Sequence, residues 1–202
     1  MYYYKTDRKI IPALIVLTLV VLSCNKKSEV APLYNIDSLI TSQVGYLSKK
    51  QAQLLKEARI GSQQDDSVYK PKDTLAWANE FEIFRELSAI NKPTNRDSYI
   101  IDDNLFDPAS NLTVKAFSLK EGLELPVKYV RIFYLSSLQK PKKIEALYNE
   151  KNLLSASSRL LTMEFKEIRS INVLTSYSIQ GGQKMILGDS VSFLIMGKII
   201  SD

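Results

Sequence analysis

The chain of 202 residues contains no histidine and a single cysteine, Cys24, and this sets the chemistry open to it. Without histidine there is no Ser-His-Asp triad, no Cys-His pair and no His-ligated zinc or iron centre. One cysteine makes no internal disulfide. Carboxylate, lysine, tyrosine and serine remain, each needing a shifted pKa or a positioned neighbour to react near neutral pH. Two Ser-x-x-Lys spacings occur beyond residue 24, Ser67 to Lys70 and Ser137 to Lys140. On a helix that spacing would let the lysine take the serine proton. With 22 Ser and 20 Lys in the chain, about two such matches arise by chance, so the two seen carry little weight. Asp102-Asp103-Asn104-Leu105-Phe106-Asp107 packs three carboxylates into six residues. Oxygen ligands at that density could hold Ca²⁺, but the glycine and distal glutamate of an EF-hand loop are missing. The segment reads as a solvated turn before Pro108. No catalytic residue, metal or cofactor is expected.

Binding chemistry has more candidates. Arg131 and Arg159 sit inside apolar strand patterns, where a charge must face solvent or find a partner. Either one, aimed into a cleft, would read an anion. Tyr129 and Tyr134 flank Arg131, and tyrosine suits both strand packing and ligand-lined clefts. Lys140-Pro141-Lys142-Lys143 is a basic turn that could touch phosphate or simply be solvated. The S-D-N and K-T-G partners of a β-lactamase-type serine are absent. The reading is therefore a non-enzymatic module that binds a small ligand or an envelope protein. A hydrolase using carboxylates or a Ser-Lys pair is the alternative.

The N-terminus carries the most specific signal. Lys5, Arg8 and Lys9 precede the uncharged run from Ile10 to Leu22, which spans about 20 Å as a helix, too short for a bilayer core of about 30 Å. A signal-peptide core fits that length. Val21-Leu22-Ser23-Cys24 resembles the lipobox of bacterial lipoproteins. The resemblance implies cleavage before Cys24, lipid on its thiol and an acylated new amino group. Several acyl chains anchor durably where one does not. Asp37-Ser38, Asp66-Ser67, Asp73-Thr74 and Asp189-Ser190 are each followed by Leu or Val. They resemble the O-glycosylation acceptor motif of exported Bacteroidota proteins, which would make Ser38, Ser67, Thr74 and Ser190 acceptors. The same pairs also suit helix starts and turns. The residues after Cys24 lack an acidic cluster, which favours an outer-membrane anchor facing the periplasm. Loss of residues 1–23 removes Lys5, Arg8, Lys9 and Asp7, leaving 24 basic and 21 acidic side chains. That balance gives no reason to expect nucleic acid.

These side chains need elements to position them. Residues 24–33 read as the lipidated cysteine and a tether, and 34–202 as one α+β domain. Ile36, Leu39, Ile40, Val44, Leu47, Leu54, Leu55 and Ala58 recur at helical spacing, predicting one helix over about 36–59, with Asn35 as its cap and Gly61 as its stop. A polar linker, 62–72, leads to a second helix over about 74–90. Asp73 caps it, Trp77, Phe81, Phe84 and Ser88 share one face, and Asn91-Lys92-Pro93 ends it. The two helices are expected as a hairpin. Beyond Pro93 the period falls to two. Strands are predicted within 99–101, 112–119, 127–135, 144–148, 153–165, 171–179, 184–187 and 191–199. Hairpin turns are expected at Gly181-Gly182 and Gly188-Asp189. Val127, Tyr129, Arg131, Phe133 and Leu135 are expected on one face. The result is a curved antiparallel sheet of about six to eight strands with a helical cover, resembling cone-like and half-barrel binding folds in outline.

Overall fold

The computed structural model describes residues 31–185 and 188–200. The signal segment, Cys24 and the tether as far as residue 30 lie outside them. Pro32–Asp202 is one compact unit. It is mixed α+β, dominated by an open antiparallel sheet of nine strands in the order β2-β1-β9-β8-β7-β6-β5-β4-β3. No helix among the described residues is long and apolar enough to cross a membrane.

Helix α1 spans Ile36–Lys49, with the Asn35 side chain accepting from the Ser38 N–H at 3.0 Å. It stops ten residues before the expected end. Gln51 takes a left-handed φ of 50°, Gln51 N–H donates to Ser48 and Ala52 N–H donates to Leu47. This is a Schellman-type closure with glutamine where glycine is usual. The rest of the predicted helix is strand β1, Gln53–Ile60, and the predicted linker is strand β2, Gln63–Tyr69. Leu54, Leu55 and Ala58 fit a helical stripe, but pairing with both β2 and β9 decides the matter. Gly61, at φ 59°, turns the β1–β2 hairpin instead of ending a helix.

The second helical stretch begins where expected, Asp73 accepting from the Ala76 N–H at 2.8 Å. It breaks into α2 (Thr74–Glu80), α3 (Glu82–Arg85) and a 3₁₀ turn, Glu86–Asn91. Trp77, Phe81 and Phe84 share the buried face as predicted. α1 packs against α2 and α3 although a β-hairpin separates them in sequence.

The remaining strands are β3 (Tyr99–Phe106), β4 (Thr113–Leu119), β5 (Val127–Tyr134), β6 (Lys143–Lys151), β7 (Ser155–Ile168), β8 (Ile171–Met185) and β9 (Ser190–Ile200). Nine strands replace the six to eight expected. The hairpin of β1 and β2, expected as helix and linker, adds two. Asp102 and Asp103 lie within β3 rather than in a turn, which lengthens that strand. The predicted turn at Gly181-Gly182 does not exist, since β8 runs through both glycines, paired with β7 and β9, and two expected strands become one. A Cβ on Gly181 would meet the Ser158 carbonyl oxygen at 2.1 Å. The glycine is there for close backbone approach rather than for a turn.

Val130, Ile132, Ile144, Ala146, Leu161, Met163 and Tyr177 form the sheet's contribution to one core, covered by Ile36, Ile40, Leu47, Trp77, Phe81, Phe84, Leu87 and Ile90. A bulge between Val127 and Tyr129 shifts the phase of β5. Val127 therefore faces the core while Tyr129 and Arg131 face away, so the single predicted face of β5 is split. Gln43, the one buried polar side chain of α1, accepts from the Leu174 N–H at 2.8 Å and donates to the Asn172 carbonyl at 3.0 Å. It occupies the backbone groups beside a β7–β8 register shift, where the ladder cannot satisfy them.

Candidate functional site

An open cleft of about 590 Å³ lies on the sheet face away from the helices, at the end formed by the β6–β7 and β8–β9 hairpins. Register brings its residues together. Lys151 pairs with Ala156, Ala156 with Lys184, and Lys184 with Ser190. One step inward, Asn149, Ser158 and Gly182 lie side by side, and the missing side chain of Gly182 leaves the floor low. Lys128 is the extra residue of the β5 bulge and joins from the other wall. Among the described residues none of Lys128, Lys151 and Lys184 forms a salt bridge. Of the two acids in the lining, Glu150 sits 3.5 Å from Arg159. The cleft therefore offers unneutralised ammonium groups beside serine and amide groups, the chemistry for holding an anion.

The strongest electrostatic perturbation lies elsewhere, in the helix layer. Glu80, at the end of α2, accepts from Lys56 Nζ at 2.7 Å and from the hydroxyls of Tyr69 and Tyr177. Burial opposes its charge, but the bonds from Lys56, Tyr177 and Tyr69 and the lysine charge outweigh it. They hold the carboxyl below its ordinary range. Burial first, then the bond to Glu80, pushes both tyrosines well above theirs. The Tyr177 ring packs edge-on to Phe81 and Phe84, at centroid distances of 5.8 and 5.7 Å. Every partner is internal, and Glu80 is 10 % exposed. The cluster pins α2 to β1, β2 and β8, and its acceptor oxygens are already used.

The residues singled out from sequence do not form one site. Arg131 and Tyr129 do meet, the guanidinium lying 4.6 Å over the ring and 3.5 Å from Glu145. Tyr129 also bonds Glu145 at 3.4 Å, so this trio satisfies itself. Tyr134 bonds Asn104 at 3.2 Å. Arg159 stands on the core-side phase of β7, 5.9 Å over Tyr148. Ser67 lies on β2 while Lys70 bonds Gln51, and Ser137 bonds Gln139 while Lys140 pairs with Glu167. Asp103 pairs with Lys115 at 2.7 Å and Asp107 accepts from Ser110 at 2.6 Å, so the acidic run is dispersed. Lys143 sits 3.9 Å over Phe133 and 3.5 Å from Glu145. Ser38, Ser67, Thr74 and Ser190 are all exposed. Cys24 lies outside the described residues.

Sequence reasoning passed over Lys128, Lys151 and Lys184, because single lysines in mixed charge give no pattern. Their assembly is a product of strand register. No family model matches the sequence, no curated protein matches it, and no solved structure matches the fold.

Proposed function

We propose that this protein is a lipid-anchored, non-enzymatic envelope module that binds an anionic ligand in the cleft of Lys128, Lys151 and Lys184. The anchor rests on the lipobox ending at Cys24, and the outer-membrane, periplasm-facing location on the lack of an acidic cluster in the residues that follow it. The binding reading rests on one observation: three lysines without salt-bridge partners among the described residues line a cavity large enough for a small ligand. The hydrolase alternative needs a nucleophile beside a base. Both Ser-x-x-Lys lysines are engaged elsewhere, by Gln51 and Glu167.

The test is an NMR titration of residues 32–202 with inositol trisphosphate and with neutral inositol. The phosphorylated probe should shift the amides around Ser157 and Gly182. Lys151→Gln with Lys184→Gln should weaken it several-fold, and added salt should weaken it further. Equal binding of neutral inositol, or shifts mapping to another surface, would overturn the proposal.

A further inference from the structure

Beside the cleft, the β6–β7 turn displays two leucines to solvent. Leu153 is 90 % exposed and Leu154 71 %. The display is built in rather than loose. Asn152 Oδ1 accepts from the N–H groups of Leu154 and Ser155 at 2.9 and 2.8 Å, and Asn152 N–H closes the turn onto Ser155. Turns of this kind favour Gly, Asn, Asp and Ser, so two consecutive leucines at the tip run against local preference. Ser155 pairs with Met185, which brings a third exposed apolar side chain alongside, and Val191 follows on β9. Lys151 and Lys184 flank the tip, with Lys128 behind them. The acids at this end are Glu124, Asp189 and Glu150, the last beside Arg159.

We infer that the β6–β7 hairpin tip inserts into an anionic lipid bilayer, Leu153 and Leu154 entering the acyl boundary while Lys151 and Lys184 meet the headgroup phosphates. The inference deepens the cleft reading, on which its lysines rest, by naming the source of the anion. Two observations select a bilayer over a protein. Leu153 and Leu154 stand almost wholly in solvent, and two side chains cannot supply the roughly 800 Å² per partner of a stable protein interface. A fluid bilayer takes any projecting shape, and a short apolar insertion reinforced by basic residues is a sufficient pair of signals for it. The tip is also remote from the chain's entry. Tyr34 bonds the Leu138 carbonyl in the β5–β6 connection, at the opposite end of the strands, and the stretch of β7 from Ser155 to Glu164, which faces Lys143, spans about 30 Å.

Residues 32–202 contain the whole core and every described strand, and they contain no cysteine. Leu153→Cys can then carry an environment-sensitive dye at a single site. The dye should shift to the blue on vesicles of phosphatidylcholine with phosphatidylglycerol, and much less on phosphatidylcholine alone. In co-sedimentation, Leu153→Gln with Leu154→Gln should weaken partitioning at least about tenfold while leaving the inositol trisphosphate titration unchanged. Lys151→Gln and Lys184→Gln should each cost about fivefold on the anionic vesicles. Absent partitioning, or leucine variants that partition like the parent, would overturn the inference. So would a self-association abolished by those variants without vesicle binding. If the soluble probe binds and vesicles do not, insertion fails and the cleft reading stands. If vesicles bind and the probe does not, the cleft reading fails alone.

Discussion

Replacing Gly197 by alanine tests the packing that holds the helices on the sheet. A Cβ at this position would lie 2.0 Å from Cε1 of Tyr177 and 2.2 Å from Cζ. The ring is 3 % exposed and wedged against Phe81 and Phe84, so it has nowhere to move within its site. The methyl group can enter only if Tyr177 leaves. Emptying a buried aromatic site costs about 3–5 kcal/mol, and Glu80 loses a hydrogen bond worth about 1 kcal/mol more. Gly197 lacks a left-handed φ, so backbone strain adds nothing. Gly45 supplies the opposite control. It lies inside α1 with nothing within 4 Å of its would-be Cβ, and Gly45→Ala should stabilise by about 1 kcal/mol. Urea unfolding of residues 32–202 followed by Trp77, the single tryptophan, reads both changes. In a Tyr177→Ala background the additional cost of Gly197→Ala should fall below about 0.5 kcal/mol. A cost under about 1 kcal/mol in the parent, or an unchanged cost without Tyr177, would refute the argument.

Further outcomes follow from the same geometry. Glu80 is held below its unfolded pKa, so its contribution to stability is complete above the ordinary carboxylate range near pH 4. It is lost as pH falls through the folded value, and Glu80→Gln should remove that part of the acid limb in urea midpoints measured against pH. An acid limb identical in the two proteins would show that the cluster does not hold a charge. Cys24→Ala should abolish palmitate labelling and leave the precursor uncleaved; a wild-type chain that takes up no label removes the basis for the envelope location. Residues 32–202 should turn over no peptidoglycan, polysaccharide, ester or phosphoester substrate. Activity lost in Ser67→Ala, Ser137→Ala or Asp103→Asn would instead identify an enzyme.

What the sequence made legible followed from strong local periodicity. Trp77, Phe81 and Phe84 recur at helical spacing and are buried, and Asn35 and Asp73 cap as their side chains suggest. The misreadings share one physical origin, which is that long-range contacts outvoted local preference. The stop of α1 falls on a left-handed glutamine, a conformation whose usual mark is glycine. Strand β2 reads QQDDSVY, with no alternation because every residue is exposed, and it exists through its ladder with β1. Gly181 and Gly182 look like a turn because sequence does not say whether a glycine is needed for φ or for space. The candidate site was the least visible part. Its lysines come from β5, β6 and β8, and only a register exact to one residue turns them to the same face.

The way this sheet treats its borders explains why the exposed leucines carry meaning. An open sheet has two edges, each a template for unwanted pairing. β2 is blunted by adjacent Asp65 and Asp66 on a wholly exposed strand. β3 carries exposed Ile100, Ile101, Leu105 and Phe106, but its ladder with β4 breaks between Asp102 and Leu105, with Asp103 and Asn104, the latter at φ 59°, in the break. Both edges thus carry charge, and the more apolar one is also bent, as devices against edge pairing require. The β6–β7 tip receives the opposite treatment. There the turn is braced by Asn152 so that two leucines stay in water, beside lysines with no salt-bridge partner among the described residues. A chain that guards its apolar edge strand with acids and a bulge, and leaves its apolar tip flanked by cations, is arranged to meet an apolar, negatively charged surface at that end.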